Sequence, residues 1–273
     1  MIKVARESRI VVLAAVAHPD DIEFMMAGTL LQLKAVGAEI HMWNLANGNC
    51  GTAVHDSSKI VRLRAQEARD SARVIGARAH PALVNDVALF YEPKLLAKVG
   101  AVVRQVKPTI ILTQSPCDYM EDHQNTCRLI VSAAFVRGIR NFKTSPKVAT
   151  WSGNTALYHA VPHGLRDGLR ALVRSGQYVD ISSVLAKKRE MLSRHKTQKE
   201  WLAVSQDMDS YLKEMEVMSR ALGRMSGRFE YAEGWRRHSH LGFGPADYDP
   251  LSEMLGNACW TDPDYEKALE MNQ

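Results

Sequence analysis

The string Ala17-His18-Pro19-Asp20-Asp21 places one imidazole and two carboxylates within four residues, raw material for holding a divalent cation beside a base. A hydrolytic zinc takes about three protein ligands and keeps one position open; where thiolates are absent, those ligands are neutral imidazoles and carboxylates. His18 and Asp21 converge on one ion if the chain turns sharply between them, and Pro19 restricts the backbone of that turn. Asp20 then need not be a ligand. It is available as general base toward a water whose pKa zinc lowers to roughly 7. The competing reading is that Asp20 and Asp21 cap a helix beginning at Ile22. A short string taken alone does not choose between them.

A third ligand is offered by His123, at the end of Ser115-Pro-Cys-Asp-Tyr-Met-Glu-Asp-His123. It opens an expected helix running through Leu129 to Phe135, and Asp122 beside it can orient an imidazole from behind. Alone, Asp118, Glu121 and Asp122 read as an acidic helix start. Beside the first motif, the ligand reading is the stronger.

The elements that must position these residues follow from periodicity. Residues 10–17 form a continuous apolar run, expected of a strand buried on both faces. Residues 22–36 have helical spacing and end at Gly37, 39–45 read as a second strand, and Asn47–Thr52 as a glycine-rich turn. A helix over 59–75 stops at Gly76; a short strand is expected at 82–85, a helix at 94–106 and a β-branched strand at 109–113. Strands alternating with helices imply a mostly parallel sheet with helices on both faces, a three-layer α/β fold. Ligands sit beyond the carboxyl ends of such strands. Both chemically loaded segments directly follow expected strands. Farther on, 155–160 and 178–181 are strand-like, 183–195 is helical, 197–225 reads as one long amphipathic helix, and the chain from Arg228 is expected to be loop-rich. His159 and His163 are expected to pack or meet solvent, and a helix C-terminus accounts for His195.

The chain has 273 residues, is 46% hydrophobic and carries a formal charge of +5. Its basic residues are scattered, without the aromatic interleaving of a single-strand binder, so nucleic acid is not expected as a partner. Cys50, Cys117, Cys127 and Cys259 form no C-x-x-C pair, which argues against a disulfide framework and a sulfur-rich metal site. The apolar run at 10–17 is too short to span a bilayer. A cytoplasmic protein is expected.

These motifs resemble the PIG-L or LmbE-like de-N-acetylases, metal-dependent hydrolases of N-acetylglucosamine-type amides. The likeness rests on AHPDD at Ala17–Asp21, the turn Gly48-Asn-Cys-Gly51, Arg64-x-x-Glu67, Asp122-His123, the run from Val179 to Gln198, and Tyr231-Ala-Glu-Gly-Trp-Arg236. It covers most of the chain, to about Arg236. It implies a Rossmann-like fold in a single domain over 1–273, with 237–273 as a C-terminal extension. It further implies zinc, or another divalent ion, on His18, Asp21 and His123, with Asp20 as general base. Arg64 and Asp86 fall where the family contacts substrate, which would be a small N-acetylated sugar or glycoside. The plainer readings are an ion pair of Arg64 with Glu67 on one helix face and turn formation by Asp86. Self-association is compatible with the likeness.

The pattern breaks at Met120. The family commonly reads H-x-D-H there, its first histidine polarising the scissile carbonyl, and methionine has no proton to donate. Loss of such a donor without replacement typically costs about 10²–10³ in rate. Tyr119, His238 and His240 are the candidate substitutes, the two imidazoles by folding back over the pocket. The rivals to de-N-acetylation are an amidase of a larger thiol-sugar or other N-acyl conjugate, and a carbohydrate-binding protein without turnover. Nucleotide binding at the glycine turn is weak, because NGNCGT lacks the P-loop lysine.

Overall fold

A computed structural model describes residues 10–206 and 211–271, with the side chains of 202–206 excepted. In chain order the elements are β1 (Val11–Val16), α1 (Asp21–Met25), α2 (Ala27–Ala35), β2 (Glu39–Asn44), α3 (Ser57–Val74), β3 (Arg78–His80), α4 (Pro93–Val106), β4 (Ile110–Thr113) and α5 (Glu121–Phe135). There follow β5 (Ala156–Ala160), β6 (Gln177–Asp180), α6 (Leu185–Leu192), α7 (Lys196–Gln206), α8 (Tyr211–Ser226), β7 (Ala232–Arg237), α9 (Pro250–Leu255), β8 (Cys259–Thr261) and α10 (Pro263–Met271).

The strands form one eight-stranded sheet in the order β3-β2-β1-β4-β5-β7-β6-β8. Pairing is parallel from β3 through β5 and antiparallel across β5-β7, β7-β6 and β6-β8, so only β7 and β8 oppose the rest. Alternation along β1 divides the core. Val12, Ala14 and Val16 pack on one face with α1, α2, α6 and α8, while Leu13 and Ala15 pack on the other with α4 and α5. That is the three-layer arrangement expected of a strand apolar on both sides. β1 sends the chain one way to β2 and receives β4 on its other flank. The crevice between the carboxyl ends of β1 and β4 is therefore the switch point where such sheets bind ligands.

The elements depart from expectation in places. The first helix is broken at Met26 (φ −133°), dividing α1 from α2. The third strand ends at His80, because Pro81 lacks the amide a sheet ladder needs; of 82–85, only Val84 bridges, to Ala46. The helix expected over 197–225 is represented by α7 and α8, and its stretch 207–210 lies outside the described residues. The tail after Arg228 is more ordered than expected. Residues 232–237 form β7 inside the sheet, β8 extends that sheet, and Leu251 and Leu255 of α9 join the core.

A buried ion pair keys β7 to the helical layer. Lys188 Nζ lies 2.6 Å from Glu233 Oε1, and both side chains are fully buried. The Gly28 and Thr29 amides at the start of α2 donate to the same carboxylate at 2.8 and 2.7 Å, where the helix dipole favours an anion. Lys188→Ala leaves Glu233 without its counter-charge and is expected to destabilise the fold by about 3–5 kcal/mol, read by denaturant unfolding.

Candidate metal centre

Three side chains from segments a hundred residues apart meet at the switch point. His18 and Asp21 come from the turn after β1, His123 from the first turn of α5, and one ligand atom of each lies within 4.8 Å of the others. His18 Nδ1 is 3.7 Å and His123 Nε2 3.5 Å from Asp21 Oδ2. Ligands around a tetrahedral zinc, with bonds of about 2.0–2.1 Å, sit roughly 3.3 Å apart. Small side-chain shifts bring the trio onto one ion.

The outer nitrogens are held from behind. His18 Nε2 is 2.9 Å from Asp122 Oδ2, and His123 Nδ1 is 3.0 Å from Asp118 Oδ1. An ionised carboxylate only accepts, so each outer nitrogen carries a proton, and an inner nitrogen that gives up its own proton turns a lone pair toward the other ligands. Asp122 thus orients His18, not its neighbour His123, and Asp118 does the work for His123. The carboxylate of Asp21 is oriented by the His18 amide and the Gln114 side-chain amide at 2.8 and 2.9 Å.

The field here suits a cation. Burial disfavours a charged His18, yet hydrogen bonds to Asp122 and Asp21 with the charges of Asp21 and Asp86 lift its pKa to about 10. Burial likewise opposes the charge on His123, but Asp21 and Asp118 raise it. Asp21 is also desolvated, and His123 and His18 still hold it down to about 2. So negative a surrounding retains protons on imidazole, and a divalent ion would take the place of the inner ones. The residues fit a zinc-type group in donor chemistry, spacing and outer support.

Asp20 stands next to the trio in a strained conformation, with φ 107° and ψ −23°. Such backbone strain is uncommon away from functional sites. Its Oδ2 accepts a hydrogen bond from Tyr211 Oη at 2.5 Å. Burial and the charge of Asp21 push its pKa up to about 6, against the opposing pull of His195, Tyr211 and Arg64. His195 lies 3.1 Å from Glu23 beneath the turn, both fully buried. Burial resists its charge, while Glu23, Asp20 and Glu67 raise its pKa. It is a buried partner of the site's floor, not merely the end of a helix.

These groups open into a cavity of about 410 Å³ whose walls include Phe24, Met120, Trp201 and Tyr211. Arg64, Asp86 and Tyr119 also line it. Arg64 donates to Gly51 O at 2.8 Å and to Gln198, while Glu67 instead receives the Thr197 amide and hydroxyl at 3.0 and 2.6 Å. The intrahelical Arg64–Glu67 pair is therefore not made. Asp86 accepts from the amides of Gly48 and Cys50 at 2.7 and 3.0 Å, so it ties down the glycine turn as well as facing the cavity.

That turn is glycine-rich because Arg64 lies against it. A Cβ on Gly48 would stand 2.2 Å from Arg64 Cδ, and one on Gly51 2.2 Å from Arg64 Nη2. Since the guanidinium is the movable partner, Gly51→Ala should displace it. We expect little loss of stability and a fall in kcat/KM of about tenfold to a hundredfold, because misplacing a positioning group by about 1 Å is that costly. Steady-state kinetics beside thermal melting checks both halves.

His238 and His240 do not join the site. They border a second cavity with Phe243 and Tyr248, and His238 Nδ1 is 3.0 Å from His159 Nε2. β7 runs antiparallel to β5, so the residues that follow it emerge at the amino ends of the parallel strands, opposite the switch point. Conversely, His163, expected to pack or face solvent, lines the metal-site cavity with its ring edge-on to Phe24 at 4.9 Å. The available signal was its place just after a parallel strand, the same signal that marked His18.

No helix of the described residues is long and apolar enough to cross a membrane. Residues 13–134 match the family PIG-L, described as GlcNAc-PI de-N-acetylase. The fold is similar to N,N'-diacetylchitobiose deacetylase from Pyrococcus horikoshii, at 20% identity and TM-score 0.72 over 89% of each chain. It is also similar to the 4-carboxy-2-hydroxymuconate hydratase GalB from Pseudomonas putida KT2440, at 23% identity and TM-score 0.67, over 84% of this chain and 95% of that one. A zinc-inhibited teicoplanin deacetylase, Orf2, matches at 14% identity and TM-score 0.61, over 83% of this chain and 97% of that one.

Proposed function

We propose that this chain, whose residues 13–134 match the PIG-L family described as GlcNAc-PI de-N-acetylase, is a zinc-dependent hydrolase that removes the acetyl group from an N-acetylglucosamine-type amide. The observation that carries the reading is the meeting of His18, Asp21 and His123 beside a strained, buried Asp20.

A zinc ion held by those three residues supplies Lewis-acid polarisation of a carbonyl and brings the pKa of water to roughly 7. The remaining roles fall to the chain. Asp20 takes the proton of the attacking water at its carboxylate, and Tyr211 holds that carboxylate in place through Oδ2. The protonated Asp20 then returns the proton to the nitrogen of the departing amine, so acetate and a free amino sugar leave. Arg64 and Tyr119 stand where the rest of the substrate would lie. The rival, a carbohydrate-binding protein without turnover, predicts ligand retention without release of acetate.

The apolar walls formed by Phe24, Met25, Met120 and Trp201 favour a second reading, in which the amide belongs to a larger conjugate bearing an apolar group. The site chemistry is unchanged. Zinc-loaded protein incubated with N-acetylglucosamine, its simple glycosides and a panel of longer N-acyl amines should release carboxylate and amine in equal amounts. Absence of release from every amide overturns the hydrolase reading. Loss of absorbance from an unsaturated carboxylic acid, in its place, would point to water addition of the kind named for the hydratase.

A further inference from the structure

We propose that His163 donates the hydrogen bond that polarises the substrate carbonyl and holds the developing oxyanion, the role for which position 120 carries a methionine. This rests on the hydrolase reading above.

The cavity has few unspent donors. Tyr211 gives its hydroxyl proton to Asp20, Arg64 spends its Nη2 on Gly51 and Gln198 and lies packed against the glycine turn, and His238 and His240 lie at another cavity. Tyr119 lines the site but is 49% exposed, and a donor in contact with water contributes less than one in a dry site. His163 makes no side-chain hydrogen bond to the described residues, and its ring faces the cavity that holds His18, Asp21 and His123. It is close enough to Asp21 and His123 to feel both charges.

The ring is also held. Its edge-on contact with Phe24 is backed by Tyr211, whose ring centroid is 5.4 Å from that of Phe24. The turn bearing it is constrained: Leu165 N–H donates to Pro162 O at 2.9 Å, and Gly164 and Leu165 both adopt positive φ, 74° and 60°. A non-glycine residue in that region costs free energy and persists where the surroundings require it. A neutral imidazole always carries one N–H, so donation needs no change of protonation. No bond is made or broken at His163. Its N–H strengthens a hydrogen bond as the carbonyl oxygen gains charge, and weakens it when the amine departs.

The test uses the full-length, zinc-loaded chain with His163→Phe, which keeps a ring against Phe24 but removes the donor. Acetate release from the best N-acetyl substrate should fall about 10²–10³-fold in kcat, with KM within a few-fold of wild type and bound zinc unchanged. Adding Met120→His to that variant should recover at least tenfold of the loss. A kcat within threefold of wild type overturns the assignment while leaving the hydrolase reading intact. A wild type that releases nothing sinks the reading instead. Acetate titration then judges His163 separately, since a carboxylate oxygen stands in for the oxyanion. Acetate should bind His163→Phe about tenfold or more weakly and shift the imidazole ¹⁵N resonance of His163 in the wild type. Equal binding with no shift overturns the proposal.

Discussion

Asp20→Asn is expected to bind zinc as tightly as the wild type and to lose turnover by about 10²–10⁴, the range spanned by a positioned general base. The substitution isolates chemistry from structure. Asparagine tolerates positive φ better than any other side chain that resembles aspartate, so the strained turn at φ 107° survives. Its amide oxygen still accepts from Tyr211, which donates at 2.5 Å in the wild type. What disappears is the capacity to take a proton. The wild-type dependence on pH gives the same test another form. A base must be ionised to work, and burial with the Asp21 charge puts Asp20 at about 6 before a cation is added. A divalent ion beside it favours the ionised form, so kcat/KM should climb with pH through an acidic limb at about 6 or below, and the limb should vanish in Asp20→Asn. An active Asp20→Asn enzyme assigns the base elsewhere.

Removal of the metal is the second large effect. Dialysis against a chelator should abolish turnover, zinc should restore it, and His123→Ala should retain no stoichiometric metal by elemental analysis. Subtler variants probe the outer carboxylates. Asp118→Asn and Asp122→Asn should each weaken zinc about 10–100-fold, as is typical when a group that orients a metal-bound imidazole is lost. The two should act through different ligands, because Asp118 holds His123 and Asp122 holds His18. Ligand binding to the native state also stabilises it, by about 2.7 kcal/mol at a hundred times Kd. Zinc should therefore raise the melting temperature of the wild type and leave that of His123→Ala unmoved. Retained stoichiometric zinc in His123→Ala would dissociate this residue from the metal.

Local pattern pointed to the three side chains that meet at the switch point. His18, Asp21 and His123 each follow a strand readable from its apolar run, and the rule for parallel sheets sends the ends of β1 and β4 to one crevice. Long-range packing was not readable in that way. Tyr211 reaches Asp20 across 191 residues, and nothing in its own helical neighbourhood distinguishes it from an ordinary core aromatic. The pairing of Glu67 with Thr197 rather than Arg64 depends on where α7 docks, which helix periodicity does not determine. His238 and His240 were misjudged through strand direction. Composition gives Tyr231–Arg237 no polarity, and only its place between β5 and β6 turns the following histidines away from the metal.

The residues that could hold an ion all lie between positions 18 and 123, whereas Gln198 and Trp201 roof the same cavity from the later half of the chain. Grip and roof are thus inherited on separate stretches of polypeptide. Exchanging the roof for a relative's would redirect which molecule is admitted while the reaction underneath stays as it was, and a fold partitioned in this manner can change its diet without relearning its chemistry.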